Sequence, residues 1–298
     1  MRNVLLKAFW LAAVMFCFVA LINSCKEDKP DTPEEPEVGR PEPPYTVVEA
    51  DFQTTRGSLK IGGKLYLPKE LEKYSKSAAI FCTGLDASWK DTEVYARAAA
   101  KQGIVSCCFD FCGGPSGASL SEGNKSDNTI LTEVQDLTAV YAAIKAREDI
   151  DSGRIFLMGG SQGGLVAALY AADHPADVLA LGLMFPAFNL PEIVRQYAGL
   201  LGGVENLPES VTVQGHTIYK KYAVDAYGIY PFDVIGKYEG PVLIMHGTQD
   251  TTVPIANSQQ AVKVYKNAEL VVLDGQGHGF DATGTQKAIE NLERFFLR

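Results

Sequence analysis

Apolar and polar positions along this chain fall into three regimes. Residues 8–22 are continuously apolar, residues 26–44 are almost devoid of apolar side chains, and from residue 45 onward short apolar runs alternate with longer amphipathic stretches. The third regime carries the fold. Runs at 78–82, 104–110, 154–158, 178–185, 241–246 and 270–273 are apolar and have the length of buried strands. Between them, 93–101 and 130–147 have helical character. The longer of these places Val134, Leu137, Val140, Tyr141 and Ile144 on one face. Strand and helix in alternation predict an α/β domain with a mostly parallel central sheet flanked by helices. Two early strands, near 46–55 and 58–67, surround Arg56-Gly57 and predict a hairpin. Residues 282–298 predict a closing helix that offers Ile289, Leu292, Phe295 and Phe296 for packing.

One stretch stands out chemically. Gly159-Gly160-Ser161-Gln162-Gly163-Gly164 reads as G-x-S-x-G, between the apolar run ending at Met158 and a run of helix formers from Leu165. A strand, a tight glycine turn and a helix present a serine hydroxyl at the strand's carboxyl end. The motif alone also suits a phosphate loop or a plain connection. What decides is the order of an acid and a histidine downstream. Asp250 follows the run 241–246, and His278 follows the run 270–273, each in the loop just past its strand. Singly, Asp250 could be a turn cap before Pro254 and His278 a loop residue between glycines. Jointly, Ser161, Asp250 and His278 meet the order Ser, Asp, His, and three strand ends converge on one sheet edge. Their chemistry is complementary. A serine hydroxyl needs a base, His278, and the base needs a carboxylate, Asp250, to hold its tautomer and stabilise its cation. An oxyanion hole is expected from the backbone N–H of Gln162 and of Leu85, in the Thr83-Gly84-Leu85 loop after the strand 78–82.

These motifs resemble the α/β-hydrolases of the bacterial feruloyl or cinnamoyl esterase type, close to serine-aminopeptidase-like and monoacylglycerol-lipase-like hydrolases. The resemblance runs from Tyr45 to Arg298. It rests on the Ser161 elbow with Gln162, on His246-Gly247-Thr248-Gln249-Asp250, and on Phe109-Asp110-Phe111-Cys112-Gly113-Gly114-Pro115-Ser116-Gly117 followed by Thr132 to Leu137. The last is a looser match, since Pro115 and Ser116 precede its third glycine. The resemblance implies an α/β-hydrolase fold with a small cap insertion and ester hydrolysis through an acyl-enzyme, on feruloyl, cinnamoyl or acetyl esters of plant polysaccharide or on small acyl esters. It needs no cofactor.

The rhythm breaks between 186 and 231. That segment is too long for an ordinary loop and carries Phe188, Tyr197, Tyr219, Tyr222, Tyr227 and Tyr230. A small helical cap above Ser161 is expected. By position, the resemblance makes Glu192 and Tyr219 the polar contacts to substrate.

The amino terminus gives an address. Residues 1–7 carry Arg2 and Lys7, and the apolar run 8–22 is shorter than the roughly 20 residues of a spanning helix. The segment reads as a signal peptide, residues 1–24, although an uncleaved anchor fits the same pattern. Leu21-Ile22-Asn23-Ser24-Cys25 resembles a lipobox with Cys25 as the lipidated residue. The Pro- and Glu-rich segment 25–44 reads as an extended tether, leaving 45–298 as one hydrolase domain. The expectation is an exported protein, lipid-anchored in the outer membrane of a Gram-negative bacterium on its periplasmic or outer side.

Composition narrows the rest. A formal net charge of −9 argues against nucleic acid as partner. Cys82, Cys107, Cys108 and Cys112 lack metal-site spacing and read as small buried hydrophobes, with the vicinal pair on opposite faces of a strand. No metal motif or dinucleotide-binding glycine motif is present. Two other readings stay open. One is a serine peptidase on the same fold, with Glu192 or Asp225 receiving the peptide amine. The other is an inactive glycan- or lipid-binding lipoprotein.

Overall fold

The computed structural model describes residues 42–296 except 75 and 214. The expected signal peptide, the expected lipidated Cys25 and the expected tether up to residue 41 lie outside the described residues. In chain order the elements are β1 (Val47–Arg56), β2 (Leu59–Pro68), β3 (Lys76–Cys82), α1 (Lys90–Lys101), β4 (Val105–Phe109), α2 (Ile130–Lys145), β5 (Ile150–Gly160), α3 (Gln162–Asp173), β6 (Ala180–Met184), α4 (Leu190–Leu200), β7 (Ser210–Val213), β8 (His216–Tyr219), α5 (Lys220–Tyr227), β9 (Val242–Gly247), α6 (Ala256–Val264), β10 (Ala268–Leu273) and α7 (Ala282–Phe296).

Eight strands form one sheet in the order β1-β2-β4-β3-β5-β6-β9-β10. The expected hairpin is there: β1 and β2 pair antiparallel across a turn in which Gly57 takes φ +60°. β2 also runs antiparallel to β4, and from β4 to β10 all neighbours are parallel. The chain steps from β3 outward to β4, then returns to β5 on the other side of β3. That reversal opens a crevice at the carboxyl ends of β3 and β5, where ligands bind in open α/β sheets.

Two apolar layers sandwich the sheet. One packs α2 and α3 against a face carrying Ile80, Cys107, Leu157, Leu183 and Ile244. The other packs α1 and α7 against Phe81, Cys108, Met158, Met184 and Met245. Successive residues alternate between layers, as the two-residue period of a strand demands. Cys107 and Cys108 fall on opposite faces as expected, and all four described cysteines are free and buried.

α2 starts on a reciprocal cap. The Thr129 hydroxyl accepts from Thr132 N–H (3.2 Å) and the Thr132 hydroxyl accepts from Thr129 N–H (2.8 Å). The helix ends at Lys145, two residues before the expected end. Its buried face holds a surprise, since Glu133 and Asp136 lie among Ile130, Leu137, Val140, Tyr141 and Ile144.

The insertion between β6 and β9 is not wholly helical, as the sequence reading expected. α4 and α5 flank a two-stranded hairpin, β7-β8, with Gly215 at its turn in the left-handed region, φ +86°. Val211 and Val213 alternate with Ser210 and Thr212 before Gly215, a period-two pattern that favours strand over helix.

Candidate active site

β5 delivers Ser161. The serine sits at φ +52°, ψ −123°, a strained conformation for a residue with a side chain. The neighbouring glycines make this turn possible. A Cβ on Gly159 would fall 2.3 Å from Gly163 O, and one on Gly163 would fall 2.4 Å from both Cys82 O and Thr83 O. The start of α3 is thereby pressed against the end of β3, where the Thr83-Gly84-Leu85 loop begins. Ser161 N–H donates to Met184 O (2.9 Å) and Ser161 O accepts from Ala187 N–H (2.9 Å), pinning the strained residue to the next strand and its loop.

The structure brings Ser161, His278 and Asp250 together. His278 Nε2 lies 3.0 Å from Ser161 Oγ, and His278 Nδ1 lies 2.8 Å from Asp250 Oδ2. A carboxylate can only accept here, so Nδ1 carries the proton and Nε2 is left to accept from the serine hydroxyl. Asp250 Oδ1 accepts from Thr252 N–H (2.9 Å) and Val253 N–H (2.8 Å), so its own turn fixes the carboxylate. Its side chain is fully buried, while that of His278 is 25 % exposed. Phe185, at φ +39° just past β6, packs its ring 4.7 Å from the His278 ring.

Behind Asp250 stands His246, whose role the sequence did not suggest. Its Nε2 is 2.8 Å from Val253 O and 3.3 Å from Asp250 Oδ2, and its Nδ1 is 2.6 Å from Ser258 Oγ. A carbonyl only accepts, so Nε2 carries the proton and Nδ1 accepts from Ser258. Burial lowers the imidazole's pKa and keeps it neutral.

Gln162 opens α3, a position whose N–H has no acceptor within its own helix. Leu85 lines the same cavity as Ser161, and the adjoining Gly84 would place a Cβ 3.4 Å from the Ser161 Cβ.

The Gln162 side chain is fully buried in a polar network that the sequence reading did not reveal. Its Nε2 donates to Glu133 Oε2 (2.8 Å) and its Oε1 accepts from Tyr222 OH (2.6 Å). Asn128 Nδ2 donates to Glu133 Oε1 (3.1 Å). Burial pushes the Glu133 carboxyl up to about 8, against the pull of the Gln162 and Asn128 amides. The available signal was a charged residue at helical spacing between Ile130 and Leu137.

A cavity of about 810 Å³ opens from Ser161 and His278. The β6–β9 insertion supplies much of its wall, including Tyr219, Tyr222 and His216. The two substrate contacts expected by position part company. Tyr219 ends β8 and lines the cavity. Glu192 is not among the residues that line it. On α4 its carboxylate accepts from Arg195 Nε (3.0 Å) and Gln196 Nε2 (3.1 Å), and its side chain is 54 % exposed. Asp225 also lies outside the cavity lining and accepts from Thr129 Oγ1 (2.7 Å).

The chain is similar to several known proteins. Residues 74–221 match the family model described as serine aminopeptidase, S33, and residues 229–298 match the model described as TAP-like protein. Among solved structures the chain is similar to Est1E from Butyrivibrio proteoclasticus with ferulic acid bound. The identity is 28% and the TM-score 0.75, over 83% of this chain and 98% of that one. It is also similar to acylamino-acid-releasing enzyme 1 of Oryza sativa subsp. japonica, 28% identical over 162 residues, covering 49% of this chain and 19% of the relative. A third likeness is to a probable isoprenylcysteine alpha-carbonyl methylesterase of the same plant, 24% identical over 246 residues, covering 72% of this chain and 54% of the relative. The chain thus spans about a fifth of the first of these plant proteins and about half of the second. With its eight-stranded sheet, its serine elbow and these matches, the chain belongs to the α/β-hydrolase superfamily.

Proposed function

We propose that the protein is a serine esterase working through an acyl-enzyme. The observation that carries this reading is the unbroken line Ser161 Oγ, His278 Nε2, His278 Nδ1, Asp250 Oδ2, with gaps of 3.0 and 2.8 Å, whose Ser161 and His278 line the cavity. In the first half-reaction Ser161 Oγ attacks the ester carbonyl carbon and its proton passes to His278 Nε2. The oxyanion is received by the N–H groups of Leu85 and Gln162. The tetrahedral adduct collapses, and the His278 imidazolium protonates the departing alkoxide. Water then attacks the acyl-enzyme with His278 again as base, and Ser161 leaves with its proton restored. Asp250 keeps its negative charge throughout and stabilises the imidazolium.

The substrates we favour are feruloyl, cinnamoyl or acetyl esters of plant polysaccharide, or small acyl esters. Support comes from the likeness to Est1E with ferulic acid and from the size of the cavity, within the range of roughly 300–1,000 Å³ usual for small-molecule sites. Tyr219 is the residue we assign to substrate contact. A peptidase reading has the S33 family model in its favour. Against it, Glu192 and Asp225 are bonded elsewhere and do not line the cavity. For location we propose export, lipidation at Cys25 and attachment to the outer membrane, facing the periplasm or the exterior. Recovery of a Cys25→Ser variant in the soluble fraction is the expected result.

The test of the activity is turnover of p-nitrophenyl acetate and methyl ferulate beside an aminoacyl-naphthylamide, with Ser161→Ala as control. Ester cleavage that the control lacks supports the proposal. Faster cleavage of the amide transfers it to the peptidase reading.

A further inference from the structure

The cap does more than wall the cavity, because its side chains bond to Gln162, one oxyanion donor, and to Asp86, the neighbour of the other, Leu85. On one side, Gln162 offers its backbone N–H to the reaction while its side-chain amide is held by α2 and by the cap. Its NH₂ faces the Glu133 carboxyl, and its carbonyl faces the hydroxyl of Tyr222 on α5. On the other side, Asp86 directly follows Leu85 and takes φ +61°, in the left-handed region. Its carboxylate pairs with Lys125 and with Nδ1 of His216 (2.7 Å) on the cap strand β8.

Packing alone does not call for a carboxyl at position 133. Ile130 and Leu137 flank it on the buried face of α2, and burying a carboxyl costs free energy unless its oxygens are bonded. Here both are bonded, and the partner of one is the residue that donates the elbow N–H. We propose that Glu133 and Tyr222 are positioning residues. Acting through the Gln162 side chain, they hold its backbone N–H where the oxyanion develops, so that a correctly seated cap is needed for full reactivity. The inference rests on the esterase reading, in which that N–H is an oxyanion donor.

The test compares the full-length wild-type chain with Glu133→Gln and Tyr222→Phe. It reads kcat and KM for p-nitrophenyl acetate, the affinity of phenylboronic acid, and the affinity of ferulate. Phenylboronic acid forms a tetrahedral adduct on the serine, whereas ferulate is a ground-state ligand. We expect kcat to fall roughly tenfold to a hundredfold and boronate affinity to fall in step. KM and ferulate affinity should stay within about threefold. A merely structural role would lower thermal stability without separating boronate from ferulate. If Glu133→Gln fails to fold, Tyr222→Phe carries the same readouts. Unchanged kcat and boronate affinity in a folded variant overturn the inference, as does a loss that falls wholly on KM. A fluorophosphonate separates the two levels. Wild type that resists it at Ser161 overturns the esterase reading and this inference with it. Variants labelled as fast as a reactive wild type overturn this inference alone.

Discussion

His246 Nε2 stands 3.3 Å from Asp250 Oδ2, the oxygen that also faces His278. Two imidazoles therefore converge on one buried carboxylate, and they differ in kind. His278 is partly exposed and can gain a proton. His246 is fully buried, and its Nε2–H is already committed to Val253 O. His246 thus ties β9 to the Asp250 turn and to α6 through Ser258. His246→Phe would leave the Val253 carbonyl and the Ser258 hydroxyl without this partner. We expect a loss of about 2–4 kcal/mol of unfolding free energy in urea melts. A loss below about 0.5 kcal/mol would show that these bonds are readily replaced.

Asp250→Asn keeps the shape of the turn and changes its polarity. An amide NH₂ facing Nδ1 makes that nitrogen the acceptor and leaves Nε2 protonated toward Ser161, where it cannot take the serine proton. The expected outcome is a fall in kcat of about ten-thousand-fold with KM little changed. Steady-state ester hydrolysis reads this directly, and a fall of less than about tenfold would remove Asp250 from the mechanism.

The two cap residues expected at the substrate should behave differently. Glu192→Gln alters an exposed carboxylate bonded to Arg195 outside the cavity, and kcat/KM for methyl ferulate should stay within about twofold of wild type. Tyr219→Ala removes a phenol from the cavity wall. It should lower kcat/KM for methyl ferulate by roughly tenfold and for p-nitrophenyl acetate by much less. The reverse ranking would place the acyl group against α4.

Stability should carry the mark of Glu133. Its folded pKa is raised by burial to about 8, above an ordinary unfolded value near 4.5. The native state therefore holds a proton that the unfolded chain releases. The resulting stabilisation is fully present below about pH 4.5 and is lost as pH rises through about 8. Glu133→Gln lacks this dependence. Urea midpoints at about pH 5, 7 and 9 should show wild type losing stability relative to Glu133→Gln as pH rises. His246 acts in the opposite sense. Its pKa is lowered by burial, so its contribution is present above about 6.5 and is lost as pH falls below that. A wild-type-to-variant difference constant across the three pH values would mean that Glu133 is charged in the native state throughout.

What the sequence made legible follows from the reach of local signals. Ser161, Asp250 and His278 each lie just past an apolar run, and chain order did the rest. The parallel sheet followed from alternating periodicities. What escaped depends on contacts between distant segments. Glu133 reads as a misplaced charge on an amphipathic helix until Gln162, twenty-nine residues on, is brought against it. His246 looks like the end of an apolar strand, and only Val253 and Ser258 show what its nitrogens do. The cap hairpin was missed for another reason. The aromatic residues dominate the segment's composition, while the short alternation from Ser210 to Val213 and the turn at Gly215 carry the structural information. Glu192 lies on α4 beside residues that line the cavity, and only the fold shows which way its helix face points.

Everything in the proposed chemistry turns on Ser161 acting as a nucleophile activated by His278. The most direct measurement is reaction of the full-length protein with a fluorophosphonate, followed by peptide mass mapping. A single adduct is expected on Ser161, absent in Ser161→Ala and formed about a thousandfold more slowly in His278→Ala. A folded wild-type protein that carries no adduct, or carries it on another residue, would show that Ser161 is not the activated nucleophile.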